Sequence, residues 1–156
     1  MSKVFISGTA GFGTGKKLTS LPQPVMDMLT KLIYDGDEIL VGDCQGVDTL
    51  VQEVLKRAKY SNVTVYCSGS TCRNVLDSSW SVKHIQVPRG YTGRAFYAVK
   101  DNAMTIAADS GIAIWDGKSV GTGNNIKNLT FRGKTVTVFR TDLNEIEYHQ
   151  PKTLGE

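Results

Sequence analysis

An α/β fold with a mainly parallel sheet of about five to six strands is predicted from three observations. Short apolar, β-branched runs recur at residues 4–6, 38–41, 63–67, 84–87, 111–115 and 135–139 without polar alternates, as suits strands buried on both faces. Most of the intervals between them carry helical spacing. Strand and helix therefore alternate, an order that implies βαβ units, right-handed crossovers and a Rossmann-like three-layer sandwich.

Each element can be justified in turn. The first strand, Val4 to Ile6, runs into the glycine-rich stretch SGTAGFGTGKK at residues 7–17. This is not a Walker loop: Ala10 stands at the first glycine position and Lys17 where a magnesium-binding hydroxyl is needed. Nor is it the dinucleotide fingerprint, because Lys16 replaces the third glycine after Gly11 and Gly13. Val25, Met28, Leu29, Leu32 and Ile33 form one helical stripe, and Val47, Leu50, Val51, Val54 and Leu55 a second. Ala95, Val99, Met104 and Ala107 mark a third. Residues 68–83, rich in Ser, Gly, Asn and Asp, read as an irregular loop, and the chain turns polar after Phe139, as a short edge element or a tail.

A chain of 156 residues with 40% hydrophobic content suits one core, here a domain at 1–140 followed by a polar C-terminal tail at 141–156. No apolar run approaches the roughly 20 residues of a membrane helix, and a cytoplasmic location without membrane association is expected. Three cysteines without CxxC spacing and two distant histidines argue against a disulfide framework and against a metal site. The net charge of +3, with no run of Lys or Arg, does not single out nucleic acid as the partner.

In open α/β sheets, ligands bind beyond the carboxyl ends of the strands, where helix N-termini favour anions. The residues there are Gly8 and Thr9 after the first strand, and Gly42, Gly46 and Asp48 after the second. Asp116, Gly117, Gly121, Thr122 and Gly123 follow the fifth. Each loop alone is also ordinary turn chemistry; three on one rim point to a phosphorylated ligand. Arg94, at a helix start, suits a phosphate contact or a solvated position, and Trp115 suits stacking on a base or core packing.

The order VFISGT, ILVGDCQGVDTLVQEVLKRA, GRAFYAVKDNAMTIAADSGIAIWDGKSVGTGNNI and GKTVTVF resembles the SLOG superfamily, which includes the DNA-processing protein DprA and the Lonely Guy nucleotide phosphoribohydrolases. GDCQGVD is similar to the family's Gly-x-Ala-x-Gly-Ile/Val-Asp segment. Arg94 with Asp101, Asn102 and Met104 is similar to its Arg and Arg-Asn-x-x-Met helix, and WDGKSVGTGNN to its phosphate loop. The resemblance implies a nucleotide-binding site; with the three phosphate-suited loops, the expected function is binding of a nucleotide or nucleotide-derived signalling molecule, as a sensor or sequestering protein, and no cofactor is expected. One departure matters: Asn125 stands where the hydrolases carry a glutamate that acts at the sugar, and an amide neither attacks an anomeric carbon nor takes a proton. The alternatives are a nucleoside 5'-monophosphate N-glycosidase or deoxyribosyltransferase-like enzyme using Asp116 or Asp48, and DprA-like single-stranded DNA binding. Self-association through helices beside the sheet is expected.

Overall fold

The structure, a computed structural model, describes residues 1–9 and 18–152. Residues 10–17, with Lys16, Lys17 and most of the glycine-rich stretch after β1, lie outside the described residues. The elements run β1 (Lys3–Gly8), α1 (Gln23–Asp35), β2 (Glu38–Gly42), α2 (Val47–Arg57), β3 (Val63–Ser68), β4 (Ser81–Ile85), α3 (Gly93–Ala107), β5 (Ser110–Trp115), α4 (Val120–Phe131), β6 (Val136–Arg140) and β7 (Glu145–His149). One seven-stranded sheet has the order β4-β3-β2-β1-β5-β6-β7, parallel except for the β6–β7 pair. The alternating α/β reading therefore holds as a Rossmann-like sandwich, and the seventh strand is an antiparallel edge within the polar C-terminal stretch.

The strands divide their side chains between two cores, as a two-residue period dictates. Val4, Ile6, Ile39, Val41, Val63, Val65 and Ile114 face one side, where Val25 and Leu29 of α1 and Val47, Val51 and Leu55 of α2 cover them. Phe5, Leu40, Tyr66, Ala113 and Val138 face the other, under Met104 of α3 and Ile126 and Leu129 of α4. Between β3 and β4 no helix forms. The connection covers the first core with Trp80, whose indole N–H donates to the Tyr60 carbonyl at 2.9 Å, and with Cys72, Val75 and Leu76.

Local chemistry sets the element ends. α1 has proline in its first turn and stops at Gly36, whose φ of 74° is the left-handed conformation glycine tolerates. α2 carries Asp48 in its first turn and Lys56 and Arg57 in its last, matching the helix dipole.

Two expectations are corrected. The strand expected at 84–87 is β4 at Ser81–Ile85, because pairing with β3 sets its register and its exposed residues 81–84 carry no apolar run to reveal it. The cysteine count argued against a disulfide, yet Cys67 at the end of β3 is bonded to Cys72, since the turn between them brings their Cα atoms to 5.2 Å. Cys44 remains the free thiol.

Gly8 marks the tightest approach of strand to helix, because a β-carbon there would overlap the Val47 side chain at the start of α2. Gly8→Ala is expected to destabilise the fold by about 1–3 kcal/mol. In urea denaturation, the Gly8→Ala/Val47→Ala double variant should lose less than the sum of the two singles, and strict additivity would rule out the overlap.

Candidate functional site

β1 lies between β2 and β5, so the chain leaves it in one direction along the sheet and later returns to build the other half. Helices on opposite faces diverge at this reversal and leave a crevice at the carboxyl ends of the central strands. A cleft of about 830 Å³ opens here. Ser7 and Gly8 from β1 and Gly42, Cys44 and Asp48 from the β2–α2 turn form part of its wall; α3 contributes Arg94, Tyr97, Lys100 and Asp101, and the start of α4 contributes Ser119 to Thr122, Asn124 and Asn125.

The floor is a buried charge cluster. Lys100 is 4% exposed, and its ammonium donates to Asp101 Oδ1 at 2.7 Å. The Asp48 carboxylate accepts from the Cys44 amide at 3.1 Å. Gly42 makes room for both groups, since a β-carbon there would sit 2.6 Å from Asp48 Oδ2 and 3.2 Å from Lys100 Nζ. Asn125 of α4 closes the network, donating to Ser7 Oγ at 2.8 Å and more weakly to Asp101 Oδ2 at 3.4 Å.

Burial acts on both signs of charge. It pushes the Asp48 carboxyl up, and although the Lys100 ammonium and the Cys44 amide pull it down, its pKa is raised to about 6. Burial also disfavours the Lys100 ammonium, but Asp101 and Asp48 outweigh that and leave its pKa raised. Lys100 thus stays charged at neutral pH while Asp48 can exchange a proton near it. Burial, then Asp48, pushes the Cys44 thiol up, which keeps it protonated and a poor nucleophile.

A second ion pair places Arg73 in one wall. Asp43, 1% exposed, accepts from the Arg73 backbone amide at 2.8 Å and from its guanidinium at 2.8 and 3.3 Å. The guanidinium lies 3.8 Å from the centroid of the Tyr97 ring, which faces the cleft.

Of the residues singled out in the sequence, Gly8, Gly42, Asp48, Arg94, Gly121, Thr122 and Asn125 border the cleft. Thr9, Gly46, Asp116, Gly117 and Gly123 lie off its wall. Thr9 is buried, its hydroxyl toward the Ile114 carbonyl, and Gly46 caps α2 at φ 90°. Asp116 accepts from the Lys118 and Ser119 amides and the Ser119 hydroxyl, shaping the turn into α4. Burial raises its carboxyl, but these hydrogen bonds outweigh it and the net pKa is lowered. Gly117 has φ 79°, and Gly123 packs against Trp115, whose indole N–H donates to Ser119.

Lys100, Ser7, Asp43 and Arg73 were not singled out. Lys100 had a legible signal, a cation one turn before Met104 on the core-facing side of a helix. Asp43 and Arg73 are 30 residues apart and meet only through the irregular connection.

No family model matches the chain, and no curated protein is significantly similar to it. Among solved structures it is similar in fold to DNA processing protein A from Helicobacter pylori, described for its single-stranded DNA binding mode. The TM-score is 0.63 at 18% identity, covering 92% of this chain and 67% of that one.

The raised Asp48 pKa fixes the sign of a stability effect. Its contribution is fully present below the unfolded value of 3.8 and is lost as pH rises through about 6. Asp48→Asn abolishes that loss. Relative to wild type, the variant should gain up to about 3 kcal/mol between pH 3.5 and 7 in urea denaturation, and a pH-independent difference would refute the assignment.

Proposed function

We propose that the chain is a SLOG-type domain that binds a nucleotide or nucleotide-derived signalling molecule in this cleft, as a sensor or sequestering protein. The observation that carries the reading is the pairing of an anion-suited rim with a polar floor in one cleft of ligand size. At the rim, the first-turn amides of α4 have no intrahelical acceptor, Gly121 has open space around it, and Arg94 stands opposite on α3. Phosphates belong there. Asp48, Asp101 and Lys100 on the floor can hydrogen-bond sugar hydroxyls and base edges.

Binding without cleavage fits Asn125. Its amide already donates to Ser7 and Asp101 and supplies no carboxylate at the sugar. Asp48 is the floor group able to move a proton near neutral pH, so release of free base is the companion assay.

Native mass spectrometry of gently purified protein is expected to reveal an intact nucleotide. Arg94→Ala should weaken its binding about tenfold or more through loss of a charge-assisted contact. Stripped protein that shows no thermal shift across a broad nucleotide panel would sink the reading, and free base in the incubation would replace sequestration with hydrolysis.

A second reading, single-stranded DNA binding, is favoured by the fold likeness to DNA processing protein A. It draws support from the exposed Tyr97, whose ring lies 3.8 Å from the Arg73 guanidinium in the cleft that Arg94 also lines, the combination of stacking ring and cations that such ligands use. Gel shifts of oligonucleotides should then weaken steeply between 50 and 200 mM salt, on the order of tenfold or more. No shift at the lower salt would remove this reading.

A further inference from the structure

We propose that Cys67, Cys72 and His84 form a binding site for a thiophilic divalent ion, zinc foremost, that becomes available when the Cys67–Cys72 disulfide is reduced. This site is separate from the cleft and does not depend on its occupant.

Three placements by the fold create it. Cys67 is the penultimate residue of β3 and is fully buried; Cys72 follows five residues later on the connection that covers the core; His84 is the register partner of Cys67 on the neighbouring β4. The two sulfurs and a ring nitrogen of His84 lie within 4.8 Å of one another. The Gly69 carbonyl sits 3.1 Å from His84 Nδ1. When it accepts the ring's N–H it fixes the tautomer and leaves Nε2 with a lone pair, the arrangement by which metal-bound histidines are commonly oriented.

The donor set is specific in kind. Two thiolates and an imidazole suit zinc, whereas magnesium and calcium take oxygen ligands. Burial is graded from Cys67 through the half-buried Cys72 to the exposed His84, so an ion can enter from solvent at the β4 edge. Three protein ligands leave the fourth position of a tetrahedral ion to water or another donor.

The chemistry balances in two steps. A dithiol reductant delivers two electrons and two protons: the Cys67–Cys72 bond breaks, two S–H groups form, and the reductant becomes its own disulfide. The ion then forms two bonds to sulfur and one to nitrogen and releases the two thiol protons. Disulfide and metal are mutually exclusive because both use the same two sulfurs. Each state closes the same turn, and the next residue is Arg73, whose guanidinium pairs with Asp43 on the cleft wall.

The full chain carrying Cys44→Ser, which removes the remaining thiol, is reduced with dithiothreitol, desalted without oxygen and titrated with cobalt(II). The expected result is a thiolate-to-cobalt charge-transfer band with visible bands of tetrahedral cobalt, saturating at one ion per chain and displaced by zinc. The oxidised protein should show neither. His84→Ala changes an exposed side chain and should keep its circular dichroism while binding at least about tenfold more weakly; Cys72→Ser should lose the charge-transfer band or most of it. A reduced protein without the band, undiminished affinity in folded His84→Ala, or equal binding by the oxidised chain would overturn the proposal.

Discussion

Placing one ammonium group inside the protein constrains the whole carboxyl end of the sheet. An unpaired Lys100 at this depth would cost several kcal/mol, so its surroundings must supply opposite charge. Asp101 supplies it from the same helix and Asp48 from the first turn of α2, where the missing side chain of Gly42 leaves room for Asp48 and Lys100 beside the strand. Asn125 ties α4 to Asp101 and to Ser7 at the end of β1. One cation thereby fixes the mutual positions of α2, α3, α4 and the two central strands. Hydrophobic packing alone would leave those helix ends less tightly defined.

The same cluster explains why the cleft is suited to binding. Its charges are held by one another before any ligand arrives, so a ligand need not pay to organise them. The proximity of Asp48 to Lys100 and Asp101 makes its protonation sensitive to what enters, because a phosphate or a hydroxyl changes the balance of burial and charge around it.

Much of the fold was legible because buried parallel strands and amphipathic helices leave strong local patterns. The apolar runs marked β1, β2, β3, β5 and β6, and the stripes marked α1, α2 and α3. β4 was displaced and β7 was ambiguous because edge strands are fixed by pairing with a neighbour and need no apolar run. At the site, a glycine in the sequence does not say which use it serves, and Gly8, Gly42 and Gly121 border the cleft. Gly8 serves close helix packing and Gly123 packing against Trp115, while Gly117 serves a left-handed turn, three different uses of the missing side chain. The Arg73–Asp43 pair and the Cys67–Cys72–His84 grouping had no local signature at all. Each joins residues from separate segments, and their meeting depends on strand order and on a connection without periodicity.

The two margins of the sheet are built differently from its interior. β4 carries Lys83 and His84 on an exposed outer strand, and β7 carries Glu145 and Glu147, the latter paired with Arg140 and His149 and followed by Pro151. A further strand laid against either margin would have to strip water from these charges or, past β7, meet a residue with no amide hydrogen to offer. Both margins of the sheet thus present charge where a further strand would have to pair, which makes their open backbone groups poor templates for side-by-side growth.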